Sequence, residues 1–269
     1  MTRPLTRRNF LTGAATIAGA GWVLPAVSFA AAPGPATPAP SASFPRVDPA
    51  TLEAFVGVAH RDPTEVARML ERQPSLARAA WDWGFGDWET GLGAAAHTGG
   101  REIAELLLAR GAEPTIFSAT MLGQLDVVRA MIAARPGLQG TLGPHALTLM
   151  HHAKAGGKPA EAVVAYLDSI GGADVRPATA TLVPADRDAI VGRYRFGSGE
   201  GDRFDVDVRS DQPGIQRPGW SRRTLFHTGG LAFFPAGVPS VRIHFVRDGE
   251  AVTHLTVADP DPVTAVREA

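Results

Sequence analysis

The feature that most constrains the fold is a change in hydrophobic period near Val175. Before this residue, apolar side chains recur three and four positions apart, as in Ile103, Leu106 and Leu107. That spacing is typical of one face of a helix. After it, apolar and polar residues alternate, as over residues 204–209, which is typical of a half-buried strand. The sequence therefore predicts an α+β multidomain protein whose helical part comes first.

Composition excludes several classes of function. The chain has 269 residues, 45% hydrophobic and 20% charged, as in ordinary globular proteins, and this length suits two modest domains. Its formal net charge is -1, so it lacks the basic excess of a nucleic-acid binder. It has no cysteine, which excludes disulfides, thiolate zinc sites and a cysteine nucleophile. We expect no nucleic-acid partner.

The first thirty residues have the pattern of an export signal. Arg7 and Arg8 precede Phe10 and Leu11, and a weakly apolar run rich in Gly and Ala follows. This segment resembles a twin-arginine (Tat) signal peptide, with cleavage after Ala30. The resemblance implies a periplasmic or secreted protein without stable membrane insertion after cleavage. An uncleaved anchor is the alternative, and residues 31–47 are expected to form a disordered Pro/Ala linker.

Residues 48–176 contain a recurring helical skeleton. Its framework consists of small and apolar residues at fixed spacing, namely Thr90, Leu92, Ala95, Gly99, Leu106, Leu107 and Gly111, with Gly123 in the next copy. This order resembles the ankyrin repeat, in about four copies with divergent ends. The resemblance implies an all-α ankyrin-repeat solenoid that binds an unknown protein partner and carries no chemistry. An unrelated helical bundle is the alternative.

An aromatic segment separates the first two copies. Trp81, Trp83, Phe85 and Trp88 lie within eight residues of one another, with glycines between them. Large aromatic side chains in a glycine-containing loop are typical of a binding surface. They can equally cover the exposed end of a short helix stack. Both interpretations stay open from the sequence.

A second domain is expected after a hinge at residues 177–184. About six short strands over residues 185–258 favour a small antiparallel β-barrel or curved sheet, with a disordered tail at 259–269. The motifs at 191–194, 233–235 and 243–245 resemble the small β-barrel domain appended to serine-hydrolase and peptidase chains. That resemblance implies an accessory role. The full expectation is an ankyrin-repeat solenoid followed by this domain.

The sequence contains no recognisable catalytic or metal motif. None of the eight histidines forms a zinc helix pattern, and the adjacent pair His151 and His152 points in different directions on a helix. We therefore predict no catalytic residue, metal ligand or cofactor. The leading expectation is an exported, non-catalytic protein that mediates protein–protein interaction. Alternatives are a small-molecule binder that uses the tryptophan loop or the groove between the domains, and an accessory domain of an unrecognised hydrolase system.

Overall fold

The structure, a computed structural model, describes residues 42–259 and 261–268. The export motif at Arg7, Arg8, Phe10 and Leu11, the cleavage site at Ala30 and most of the expected linker lie outside the described residues. Within them, the α-helices are α1 (Pro49–Val58), α2 (Pro63–Arg72), α3 (Gly91–Thr98), α4 (Arg101–Ala109), α5 (Ile116–Met121), α6 (Leu125–Ala134), α7 (Leu149–Ala155), α8 (Glu161–Ile170) and α9 (Pro184–Ala189). No helix in the described part is long and apolar enough to cross a membrane.

Polar side chains fix where these helices begin. The side chains of Asp48, Asp62, Thr90 and Thr148 each accept a hydrogen bond from a backbone N–H in the first turn of the helix that follows. Thr115 forms a reciprocal capping box with Ser118 at the start of α5. Such caps satisfy N–H groups that have no partner inside the helix and contribute about 1 kcal/mol each.

The helices pack as successive pairs, but they do not form an obvious ankyrin solenoid, so the predicted fold class is wrong for this part of the chain. A solenoid repeats one unit with one kind of connection. Here the connections differ: a β-hairpin lies between α2 and α3, a short loop between α4 and α5, and two 3-10 turns between α6 and α7. Units joined so differently are not equivalent repeats.

The hairpin between α2 and α3 positions the aromatic segment. Its strands are β1 (Ala80–Asp82) and β2 (Trp88–Thr90), paired antiparallel with Trp81 opposite Glu89. The connecting loop has positive φ at Gly84, Phe85 and Gly86, and the side chain of Asp82 accepts hydrogen bonds from both glycine N–H groups. This tight loop directs Phe85 towards the C-terminal domain.

The C-terminal domain is a closed, antiparallel, eight-stranded barrel. Its strands are β3 (Gly192–Arg195), β4 (Arg203–Arg209), β5 (Gln212–Gln216), β6 (Arg223–Gly229), β7 (Ala232–Pro235), β8 (Arg242–Asp248), β9 (Ala251–Asp259) and β10 (Asp261–Arg267). Each strand pairs with the next in sequence, and β10 closes the barrel against β3. Alternate residues fill the interior, among them Tyr194, Phe233 and Phe245. Eight strands leave room for little more than side chains.

The barrel is present, but two details of the prediction are wrong. Strand β5 was not expected because Pro213 and Gly214 interrupt its apolar pattern. Residues 261–267 were expected to be a disordered tail, whereas they form β10. They are ordered because β10 pairs with β9 and β3, and Ala265 is fully buried in the barrel core.

The two parts are in contact through the hairpin loop. Phe85 packs against the barrel core and stacks on Phe204, with ring centroids 6.3 Å apart. Asp87 forms an ion pair with Arg223 at the start of β6. A side chain at Gly237, in the loop after β7, would collide with the Asp87 carboxylate, because a Cβ there would lie 2.4 Å from Oδ2. The Asp87 carboxylate is therefore packed directly against Arg223 and Gly237 of the barrel.

Candidate metal centre

Four side chains from four different segments converge beside the hairpin. His60 follows the last turn of α1, Glu89 is the central residue of β2, His97 belongs to α3, and His145 lies in a 3-10 turn before α7. One nitrogen or oxygen atom from each lies within 4.8 Å of the others. These are the ligand types that hold divalent transition metals in proteins.

The Glu89 carboxylate is at the centre of this cluster. Its Oε1 lies 2.9 Å from Nε2 of His97 and 3.3 Å from Nε2 of His145. Its Oε2 lies 3.3 Å from Nε2 of His60. Zinc–ligand bonds of about 2.0–2.1 Å in a tetrahedron place neighbouring ligand atoms roughly 3.3 Å apart. The three distances are close to that value.

Two of the histidines already use their other ring nitrogen. Nδ1 of His60 lies 3.0 Å from the carbonyl oxygen of Val56, which can only accept, so this nitrogen carries the proton. Nδ1 of His145 lies 2.7 Å from the Asp87 carboxylate and donates in the same way. In a neutral ring, Nε2 is then a lone pair that faces the negative Glu89. Such an arrangement requires a cation between them, either a proton or a metal ion.

Two buried atoms of the cluster have no hydrogen-bond partner. Nε2 of His97 and Oε1 of Glu89 are close to each other, yet the angles between them are not those of a hydrogen bond. Leaving such groups unsatisfied costs about 1–3 kcal/mol each. A shared metal ion satisfies both, because a ligand atom has to point at the ion and not at its neighbour.

Outer contacts hold the ligands in place. Trp83 donates its indole N–H to Oε2 of Glu89 at 2.7 Å. His145 has a left-handed backbone with φ of +58°, which is unusual for a residue other than glycine, and its backbone N–H donates to Oδ1 of Asp87 at 2.9 Å. Asp87 therefore fixes both the backbone and the ring of His145. Carboxylate–histidine contacts of this kind orient metal ligands in many sites.

Charge and burial act together on the protonation of these groups. Burial opposes the charged form of Glu89, but contacts with His145, His60 and His97 outweigh it and hold the pKa of Glu89 far below its usual range. Burial likewise lowers the pKa of His145, but Asp87 and Glu89 outweigh it and raise the pKa to about 9. Contact with Glu89 also raises the pKa of His60. The pocket is thus strongly attractive to positive charge.

The centre is reachable from solvent. The Glu89 side chain is fully buried, whereas those of His60, His97 and His145 are 22%, 12% and 25% exposed. A metal ion held here would therefore be bound by Glu89 on its buried side and be accessible to solvent on the side of the histidine rings. An accessible ion can keep a water molecule or an exogenous ligand as an additional ligand.

The aromatic residues singled out in the sequence have different positions. Trp83 lies against the metal centre, Phe85 packs on the barrel, and Trp81 is partly buried against the helical core. Trp88 is 63% exposed. The segment therefore joins the two parts of the protein and does not form one continuous surface.

The repeat framework residues serve the helical core. Gly99 has a left-handed backbone, and a Cβ there would lie 2.3 Å from the carbonyl oxygen of Ala155, so no other residue fits. Gly111 and Gly123 also have positive φ. Thr90 caps α3, while the remaining members of the framework are buried or half-buried apolar residues, namely Leu92, Ala95, Leu106 and Leu107.

The sequence led us to predict no metal ligand, and it did not single out the cluster of His60, Glu89, His97 and His145. A helical zinc motif and the adjacent pair His151 and His152 were the patterns considered. In the structure, Nε2 of His151 contacts the carbonyl oxygen of His97 at 3.0 Å. The usable signal was chemical type alone, because three of the eight histidines lie N-terminal to residue 150 and all three belong to this cluster.

Comparison with known proteins adds no family. The chain matches no protein-family model and no curated protein.

Proposed function

We propose that this protein binds a divalent transition-metal ion, with zinc as the first candidate, through His60, Glu89, His97 and His145. The observation that carries this proposal is the convergence of three imidazole Nε2 atoms on one buried carboxylate. Two of those rings have their Nδ1 protons committed to other acceptors, which leaves Nε2 available as a ligand.

The ligand set favours particular metals. Imidazole nitrogen suits Zn²⁺, Cu²⁺, Fe²⁺ and Ni²⁺, whereas Ca²⁺ and Mg²⁺ require mostly oxygen ligands. The Glu89 carboxylate offsets part of the charge of a divalent ion, whereas the charge of Asp87 is already paired with Arg223. A network of protonated histidines without metal is the competing explanation. It leaves Oε1 of Glu89 and Nε2 of His97 without hydrogen bonds.

An interaction role was the leading expectation from the sequence, and it has less support than the metal centre. Its main argument was the ankyrin resemblance, and the helices do not form an obvious ankyrin solenoid. The exposed Trp88 remains a candidate contact for a protein partner. Metal binding does not depend on whether Trp88 contacts a partner.

The test is a metal titration of the full chain after treatment with a chelator. We expect a single ion per chain by elemental analysis, and the visible absorption of tetrahedral Co²⁺ when cobalt replaces zinc. Glu89→Gln keeps the side-chain shape but removes the charge, and His97→Ala removes one ligand. Each should weaken metal affinity by more than about 100-fold, because loss of an outer-shell partner already costs about 10–100-fold.

His244→Ala is the matched control, because His244 is an exposed histidine on the barrel. Its metal affinity should equal that of the unchanged protein. The proposal is wrong if the unchanged protein retains no ion, or if Glu89→Gln and His97→Ala bind metal as tightly as it does. Either result would favour a hydrogen-bonded network of protonated histidines.

A further inference from the structure

A second candidate site lies next to the metal centre but contains none of its ligands. Trp81, Trp83 and Trp220 line a cleft of about 430 Å³ together with Glu53 and Asp82, and we call it the tryptophan cleft. Trp220 belongs to the barrel side and is 45% exposed, whereas the other four residues come from the helical part. The cleft is therefore assembled only when the two parts meet.

The aromatic lining of the cleft is of a kind that attracts cations. The face of an indole ring is negative, so it attracts cations placed within about 6 Å of its centre. In the described residues, no arginine or lysine of the protein lies over the ring of Trp81, Trp83 or Trp220. Among the described residues, the rings of Trp81 and Trp220 are therefore not engaged with an arginine or lysine of the chain, whereas the Trp83 ring lies 6.4 Å from the ring of His145.

The carboxylates of the cleft also lack a charged partner. None of the ion pairs in the described part of the chain involves Glu53 or Asp82. Asp82 accepts backbone hydrogen bonds through Oδ1, and Glu53 is exposed. A second, smaller cleft shares Trp83 and Trp220 with this one and also contains Arg217 and Arg223. These two arginines are paired with Asp202 and Asp87. A cationic ligand would thus meet unpaired negative charge.

We propose that the tryptophan cleft binds the quaternary or methylated ammonium group of a small molecule. Such a cation has no strong hydrogen bonds to lose, and it gains from contact with aromatic faces and from nearby carboxylates. The cleft continues into a smaller one of about 240 Å³, which shares Trp83 and Trp220 and includes Phe85 and Val257. That extension offers an apolar wall for the rest of the molecule. The cleft shares Trp83 with the surroundings of the metal centre but none of the four proposed ligands.

Choline and its neutral isostere 3,3-dimethyl-1-butanol provide the test. The two molecules have nearly the same shape, but only choline is charged. Binding to the full chain, at constant metal content, is measured by calorimetry and by indole fluorescence. We expect choline to bind at a single site, and the neutral isostere to bind at least about 10-fold more weakly, in line with 1–2 kcal/mol from cation–π attraction.

Two variants assign the binding to the cleft. Trp220→Ala and Glu53→Gln change exposed residues, so folding should be unaffected, and each should weaken choline binding by about 5- to 30-fold. Trp88→Ala and Glu250→Gln are the controls, because Trp88 and Glu250 are also exposed but lie outside the cleft. The control variants should bind choline as the unchanged protein does.

Three results would overturn the proposal. One is no choline binding by the folded protein. Another is equal affinity for choline and the neutral isostere, which would make the cleft an apolar site. The third is a loss of binding in Trp88→Ala or Glu250→Gln as large as in the cleft variants, which would place the cation elsewhere.

Discussion

The helical part and the barrel differ in what they bury. In the barrel, the interior is almost entirely apolar, and His227 is its single buried polar residue among those described. In the helical part, the buried residues include two carboxylates, a histidine, a serine and two threonines, namely Asp87, Glu89, His152, Ser118, Thr120 and Thr148. Buried charge costs free energy unless it is paired, so its concentration on one side indicates where function lies.

This difference assigns a role to each part. All four proposed metal ligands come from the helical part, while the barrel contributes Arg223, which holds Asp87, and Gly237, whose missing side chain makes room for it. The barrel therefore stabilises the molecule and supports the centre from outside.

The largest expected effect is in the barrel core. Phe233 is fully buried and contacts Phe245 edge to face at 5.6 Å. Phe233→Ala should reduce the free energy of unfolding by about 3–5 kcal/mol, because it removes buried apolar contacts and leaves a cavity. Urea unfolding measures this change. Metal affinity of the folded variant should stay the same, since no ligand lies in the barrel.

Phe226→Ala is the control for this substitution. Phe226 is 38% exposed on the outer face of the same sheet and stacks on Phe234. Its loss should change the unfolding free energy by no more than about 1 kcal/mol. A comparable effect of both substitutions, or a lower metal affinity in folded Phe233→Ala, would contradict the division of roles.

A smaller effect is expected from the buried His152 of the helical part. Burial lowers its pKa from 6.5 to about 4, and its Nε2 has no hydrogen-bond partner. Below pH 6.5 the unfolded chain takes up a proton that the folded chain excludes, so stability falls as pH falls from about 6.5 to about 4. In His152→Leu, the decrease in the free energy of unfolding between pH 7 and pH 4 should be smaller by about 3 kcal/mol.

The measurement is urea unfolding at pH 7 and at pH 4 in the presence of a chelator. The chelator keeps metal release from contributing to the pH dependence. The informative quantity is the change in stability between the two pH values, compared between the variant and the unchanged protein. His244→Gln is the control, since His244 is exposed. Identical pH dependence in all three proteins would show that His152 is not kept neutral by burial.

The smallest effect tests the link between the two parts. Arg223→Gln removes the ion pair with Asp87, which in turn orients His145. Metal affinity should fall by about 10- to 100-fold, as for other outer-shell partners of metal ligands. Competition with a chromogenic chelator gives the affinity, and the Co²⁺ spectrum should change in shape because His145 is less firmly held.

Arg222→Gln is the matched control for this experiment. Arg222 precedes Arg223 in sequence and also forms an ion pair, but with the partly exposed Asp207 of strand β4. Its removal should leave metal affinity unchanged. An equal loss of affinity in both variants would mean that the barrel acts on the centre through general stability and not through Asp87.

The sequence predicted the division of the chain more reliably than its details. The change of period near Val175 separates helices α1–α8 from the barrel strands β3–β10, although the short hairpin β1–β2 precedes it and helix α9 follows it. Ankyrin-like spacing within the helical part predicted a solenoid that the structure does not have, because local spacing does not fix the connections between helix pairs. Strands β5 and β10 were not predicted, because Pro213 and Pro262 interrupt a short alternation of apolar and polar residues.

The metal centre could not be predicted in the same way. Its ligands at positions 60, 89, 97 and 145 come from a helix end, a strand, a helix and a turn, so no local spacing marks them. A helical zinc motif is visible in a sequence because one element carries the ligands at a fixed interval. Here the interval between ligands is set by how separate elements pack.

The sequence by itself determined that a helical part precedes a strand part, since hydrophobic period is a local property that each segment expresses independently. It also determined which chemistries were possible, because the absence of cysteine leaves imidazole and carboxylate as the metal ligands. The tertiary structure alone decided which histidines meet Glu89 and that Arg223 reaches Asp87 across 136 positions of sequence. Such contacts depend on long-range packing, which no window of sequence contains.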